Sequence, residues 1–160
     1  MLILKNLLFT LLVPGTVAVV VPLAIGAEVV DSIGWIAVAI ELVTVGGAIY
    51  AWCVWDFASF GRGTPAPIDA PKRLVVRGLY QWVRNPMYVG VLFVIAGMAV
   101  LHDDWAIALY GAAVWLAFHV FVVYYEEPHL RRAFGAEYES YCSRVHRWLP
   151  RPPAIPRGAA

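Results

Sequence analysis

The sequence predicts an all-α integral membrane protein: four transmembrane helices followed by a short amphipathic helix on the cytoplasmic face. Three observations predict it. Hydrophobic residues make up 61 % of the 160-residue chain and charged residues 14 %, against about 25 % charged in an average soluble domain. One small core cannot hide that much apolar surface, whereas lipid can. The apolar residues fall in four runs, Leu7 to Ala27, Ile33 to Trp55, Met87 to Leu101 and Trp105 to Tyr125, near the roughly 20 residues that a membrane-crossing helix needs. Finally, all 12 Lys and Arg residues lie on one side of those runs: Lys5 before the first, Arg62, Lys72, Arg73, Arg77 and Arg84 between the second and third, and six arginines from Arg131 to Arg157 after the fourth. The turns holding Glu28 and Asp31, and His102, Asp103 and Asp104, contain none.

Positive charge stays on the cytoplasmic side. The expected topology is therefore multi-pass in the cell's inner (plasma) membrane, with both termini and the central loop in the cytoplasm. An even number of spans requires the same. The first run is longer than the apolar stretch of a signal peptide and three more follow it, so it is expected to remain as a span. The chain reads as one domain: 1–55 the first two spans, 56–86 a cytoplasmic loop, 87–125 a helical hairpin, and 126–160 a cytoplasmic C-terminal segment. Pro14, Gly15 and Pro22 predict a kink in the first span. The central loop carries Pro65, Pro67 and Pro71 and no sustained helical period, and loops of that length are usually functional or disordered. Leu130, Phe134, Tyr138 and Tyr141 recur at helical spacing from Leu130 to Val145, opposite Arg131, Arg132, Glu137 and Glu139, which predicts one amphipathic helix lying on the inner membrane surface. Cys53 and Cys142 fall in different compartments, so neither a disulfide nor a metal site is expected. The net charge of +1 says little by itself, and no nucleic-acid partner is expected.

The residues able to carry chemistry gather at the cytoplasmic ends of the third and fourth spans. In Arg84-Asn85-Pro86-Met87-Tyr88, Asn is a favoured N-cap and Pro a favoured first helical residue, so the third span should start there. A helix start offers free backbone N–H groups and a partial positive charge, which suits a carboxylate or phosphate, and Arg84 adds a full charge. Glu126 and Glu127 would stand unfavourably at a helix C-terminus, so either arginines such as Arg131 or a cationic ligand must compensate. His119 precedes Glu126 by seven residues and should share its face, directed into the bundle or a wet cavity. Glu41, inside the second span, belongs either to the site or to the contacts between helices. S-adenosylmethionine presents a carboxylate, an ammonium and a sulfonium, and this charge arrangement fits it without singling it out.

The runs PKRLVVRGLYQWVRNPMYVG (Pro71 to Gly90) and EEPHLRRAFGAEYESYCSRVHRWLP (Glu126 to Pro150) resemble the isoprenylcysteine carboxyl methyltransferase family, particularly its short bacterial members, which is related to the phospholipid N-methyltransferases. The resemblance covers roughly the C-terminal 90 residues through G-x-Y-x-x-x-R-[HN]-P-x-Y-x-G and E-E-x-x-L-x-x-x-F-G-x-E-Y-x-x-Y; the first two spans match only in character. It implies a helical membrane enzyme that transfers a methyl group from S-adenosylmethionine to a lipophilic or lipid substrate among the membrane lipids. It implies cofactor contacts at Lys72, Arg73, Leu74, Val75, Tyr80, Asn85, Pro86, Met87, Tyr88 and Glu126. Glu126, Glu127, His119 and Arg84 are the expected catalytic set, with His119 as base if the acceptor needs one. Lys72 and Asn85 stand where eukaryotic members have histidines. Val122 stands where the family has a substrate-contacting arginine, which argues against a carboxylated prenylcysteine substrate. Three alternatives remain open from sequence: a phospholipid N-methyltransferase, a sterol-type NADPH-dependent membrane reductase, and a non-catalytic membrane module. The acceptor and the oligomeric state are not legible.

Overall fold

A computed structural model describes Leu8 and residues 10–26, 28–61 and 73–152. Every regular element among them is helical, apart from one isolated parallel bridge between Val83 and His146. Helix α1 comprises Leu11–Val20, wound as a π-helix, and Val21–Ile25, wound as an α-helix. Pro14 lies inside the π stretch. Its ring nitrogen cannot donate to the preceding turn, so the expected kink takes the form of a widened winding.

Helix α2 spans Ile33–Asp56 and runs on as a π turn over Phe57–Gly61. The central loop is thus shorter than the sequence indicated, and it contains a 3₁₀ turn at Gly78–Gln81. Helix α3 begins at Pro86, as expected, and ends at His102. A left-handed Asp103 follows it, and the Asp104 carboxylate accepts from the Ala106 N–H (2.7 Å) to start α4, Trp105–Phe121.

Two expectations need correction. The fourth helix does not end at the acidic pair: a π turn, Val122–Glu126, joins α4 to α5, Glu127–Phe134. Nor is Leu130 to Val145 one helix. Gly135 adopts φ +51°, a conformation that L side chains resist, and it separates α5 from α6, Ala136–Arg144. Leu130, Phe134, Tyr138, Tyr141 and Val145 then turn inward on Leu74 and Val76, so the apolar face packs on the chain itself.

By length and composition, Ile33–Phe60 and Trp105–Phe134 can cross a membrane, while Leu12–Ile25 and Pro86–His102 are apolar but shorter. Helix α3 is the axis. Val91, Ile95 and Met98 form the core with Ala18 and Ile107, and Gly46 and Gly90 let α2 and α3 touch backbone to backbone. A Cβ on Gly90 would lie 2.8 Å from the Gly46 carbonyl oxygen, and one on Gly97 would lie 2.9 Å from that of Ala39. Such contacts replace the hydrophobic effect as the force holding helices together in lipid. Gly90→Val is therefore expected to destabilise the fold by about 1–3 kcal/mol through overpacking, read as a lower midpoint of thermal unfolding in detergent.

Candidate active site

The start of α3 and the junction of α4 with α5 meet. The Tyr88 hydroxyl donates to Glu126 Oε2 (2.9 Å), and Arg84 Nη1 donates to Glu127 Oε1 (3.0 Å). Around this meeting point lies a cavity of about 680 Å³. Its polar end is formed by Arg84, Asn85, Tyr88, Glu126 and Glu127, and it reaches into the bundle as far as Val17, Val91 and Ala117.

The two acids have different surroundings. Glu127 is 3 % exposed and is held by Arg84, by Arg147 through two bonds (2.7 and 3.0 Å), and by Arg131 at 3.6 Å. Burial acts to raise its pKa, but the Arg147 hydrogen bonds and the three arginine charges outweigh burial and leave it below the ordinary value. Glu126, just past the apolar run that ends at Tyr125, pairs with no arginine among the described residues and accepts only from Tyr88. Burial pushes its pKa up against the Tyr88 bond, and the charge of Glu127 adds to the rise.

Asn85 occupies the N-cap position of α3 but makes no capping bond. Its amide donates instead to the Arg147 carbonyl oxygen (3.0 Å). The C-terminal segment is thereby fastened over the site: the Arg84 N–H donates to the His146 carbonyl and the Arg151 N–H to that of Trp82. On the other side, the segment carrying Leu74, Val75 and Tyr80 is held at two points. Buried Asp56 forms an ion pair with Arg77 (Oδ1 to Nε, 3.1 Å), and the Tyr141 hydroxyl donates to the Tyr80 carbonyl (2.7 Å). Gly78, at φ +54°, lies against Asp56 so closely that a Cβ there would come within 2.6 Å of Oδ2.

Of the expected residues, Leu74, Val75, Tyr80, Arg84, Asn85, Met87, Tyr88, Glu126 and Glu127 all line the cavity. Pro86 is buried as the first residue of α3 without lining it, and Arg73 is exposed nearby. Lys72 lies outside the described residues. His119 is not brought in. The π turn after it inserts the equivalent of one residue, so seven residues no longer return to one face. Its Nδ1 accepts from Trp148 Nε1 (3.0 Å). Sequence reasoning missed Val13, Pro14 and Val17 of α1, Tyr50 and Phe57 of α2, and the organising role of Arg147. Tyr138 and Tyr141, also lining, were visible in the second motif.

A family model described as phospholipid methyltransferase matches residues 35–137. That is more than half of the chain, and the chain belongs to this family. A probable protein-S-isoprenylcysteine O-methyltransferase of Oryza sativa subsp. indica is 35 % identical over 79 residues, 49 % of this chain and 41 % of that protein. Protein-S-isoprenylcysteine O-methyltransferase B of Arabidopsis thaliana is 35 % identical over 78 residues, 49 % and 40 %. The Tribolium castaneum protein-S-isoprenylcysteine O-methyltransferase is 35 % identical over 78 residues, 48 % and 27 %. The chain thus spans less than half the length of these curated relatives.

Removing the Glu127 charge leaves three arginines facing one another. Glu127→Gln is expected to cost about 3 kcal/mol, the low end for a broken buried pair because Arg131 and Arg147 keep access to water. Chemical unfolding in detergent measures it.

Proposed function

We propose that this chain is a membrane methyltransferase that transfers the methyl group of S-adenosylmethionine to a lipophilic, membrane-embedded acceptor, in the manner of the isoprenylcysteine carboxyl methyltransferases. The reading rests on one juxtaposition: an uncapped helix start and a carboxylate without a cationic partner among the described residues, joined through Tyr88–Glu126 at the polar end of a mainly apolar cavity. S-adenosylmethionine supplies a methyl group already activated on a sulfonium. The protein's task is then positioning and the exclusion of water rather than activation.

In this reading the backbone N–H groups of Met87 and Tyr88, left uncapped by Asn85, receive the donor's carboxylate with the help of the α3 dipole. Glu126 receives the ammonium. Leu74, Val75 and Tyr80 lie against the adenosine, with Arg73 flanking that contact. Arg84 and Glu127 neutralise each other, so their part is to keep the two helix ends together. The walls from α1 and α4 take the acceptor's hydrocarbon. Four spans in the cell membrane, with the site on the cytoplasmic side, agree with the charge distribution. Exposed tryptophans near both ends of α2 (Trp35, Trp52 and Trp55) and at the start of α4 (Trp105) agree with it too.

A phospholipid amine is the second reading for the acceptor. Arg84 is the one Lys or Arg among the described lining residues, and it is bound by Glu127. The wall at Val122 is apolar and 1 % exposed. No free cation among these residues awaits an acceptor carboxylate. Labelled-methyl incorporation into lipid extracts separates the two readings, because methyl esters are cleaved by base and N-methyl groups are not.

Calorimetry with S-adenosylmethionine on the purified chain tests the donor site. Glu126→Gln is expected to weaken binding by about 10- to 100-fold, the worth of one hydrogen bond to a charged group; unchanged affinity and turnover would remove the assignment. The raised pKa of Glu126 also sets a pH dependence. Only the charged carboxylate attracts an ammonium, so donor affinity should fall as pH drops through that pKa, beginning above the ordinary carboxylate value of about 4.3. In Glu126→Gln this part of the pH profile should be flat.

A further inference from the structure

Glu41 is an ionisable residue in the middle of α2 that neither the cavity nor the contact with α3 uses. It lies on α2 opposite the face that meets α3: Ala39, Gly46 and Cys53 are buried there, whereas Glu41 and Thr44 are exposed. Glu41 sits six residues below exposed Trp35 and eleven above exposed Trp52, or about 9 and 16 Å along the helix. If α2 spans the membrane, as the functional reading holds, the carboxyl faces hydrocarbon well inside the aromatic belts. Ionisable groups at that depth face a protein interior or a wet cavity, because lipid chains offer no hydrogen bond.

We propose that this face of α2 is an interface between two copies of the chain, organised by Glu41 and Thr44. The surface is complementary to itself. Glu41 carries acceptor oxygens, and Thr44, one turn on, carries a donor hydroxyl. A two-fold axis along this seam sets the Thr44 hydroxyl of each copy against the Glu41 carboxyl of the other, two identical bonds for one symmetry operation. The residues around them follow the alternating four-and-three spacing of a helix–helix seam: Ala37, Glu41, Thr44, Ala48 and Ala51, all exposed. The alanines permit the close approach that Gly46 and Gly90 already give to the opposite face. The seam lies away from the cavity-lining residues of α2, Tyr50 and Phe57, so pairing leaves the site open.

The test uses the full chain, labelled with donor or acceptor fluorophores at its amino terminus and reconstituted in phosphatidylcholine vesicles, with no methyl donor or acceptor present. Energy transfer should rise with the protein-to-lipid ratio and fall on dilution with lipid. Glu41→Leu and Thr44→Val should each weaken association by about tenfold, in keeping with the loss of two hydrogen bonds in lipid. Glu41→Gln should associate nearly as the parent does, because its amide still accepts. Ile40→Ala, exposed but off the seam, should leave association unchanged. Circular dichroism and the midpoint of thermal unfolding in detergent should match the parent in every variant, which shows that each has folded. Absence of transfer at every ratio, or parental association by Glu41→Leu, overturns the interface. Because the readout needs no cofactor, its failure is distinct from failure of the methyltransferase reading. Flotation of the vesicles reports membrane insertion separately.

Discussion

A carboxylate withdrawn from water has to be matched by cations, and Glu127 is where this chain meets that demand. Its two oxygens hold Arg84 from the lead into α3, Arg131 one turn along α5 and Arg147 from the C-terminal segment. Three stretches far apart in sequence are thereby fixed at one point. Burying such a cluster is costly, and its worth lies less in net stability than in excluding other arrangements. With Arg84 fixed, the opening turn of α3 faces Glu126. With Arg147 fixed, its carbonyl occupies the Asn85 amide, and the helix start stays uncapped.

The apolar part of the molecule answers a different requirement. Packing must come from close contact rather than from release of water, and the glycines of α2 and α3 supply it. The cavity opens where this close packing stops, above Val91 on α3. It is walled on its remaining sides by α1, wound largely as a π-helix, and by α4 with the π turn that follows it, whose side chains are bulkier. Tight packing below and loose, aromatic-lined space above is a division of labour along a single bundle: one half holds the fold and the other leaves a cavity.

Much of this was legible in the sequence because its signals are local. Asn85-Pro86 marked the start of α3, and the two motifs named nine of the residues that line the cavity. What was not legible depends on geometry that no window of residues contains. The seven-residue spacing that placed His119 beside Glu126 assumes an α-helical period, which the π turn breaks. The single amphipathic helix assumed that Gly135 would continue a helix, whereas it turns the chain. Asp56 and Arg77 are 21 positions apart and looked like a span end and a loop charge; only folding shows that they anchor the segment bearing Tyr80. Arg147 looked like one more cationic tail residue.

The π turn at Val122–Glu126 has a consequence for how this stretch tolerates change. It amounts to one surplus residue in an otherwise regular rod, and everything beyond it is rotated by about 100° relative to an uninterrupted helix. The identity of the apolar residues there is loosely constrained, since several side chains of similar bulk would fill the same wall. Their number is not. Losing a single position would restore the regular winding, swing the acidic pair around the rod and carry Glu127 away from its arginines. In this short tract the chain encodes a count before it encodes a chemistry.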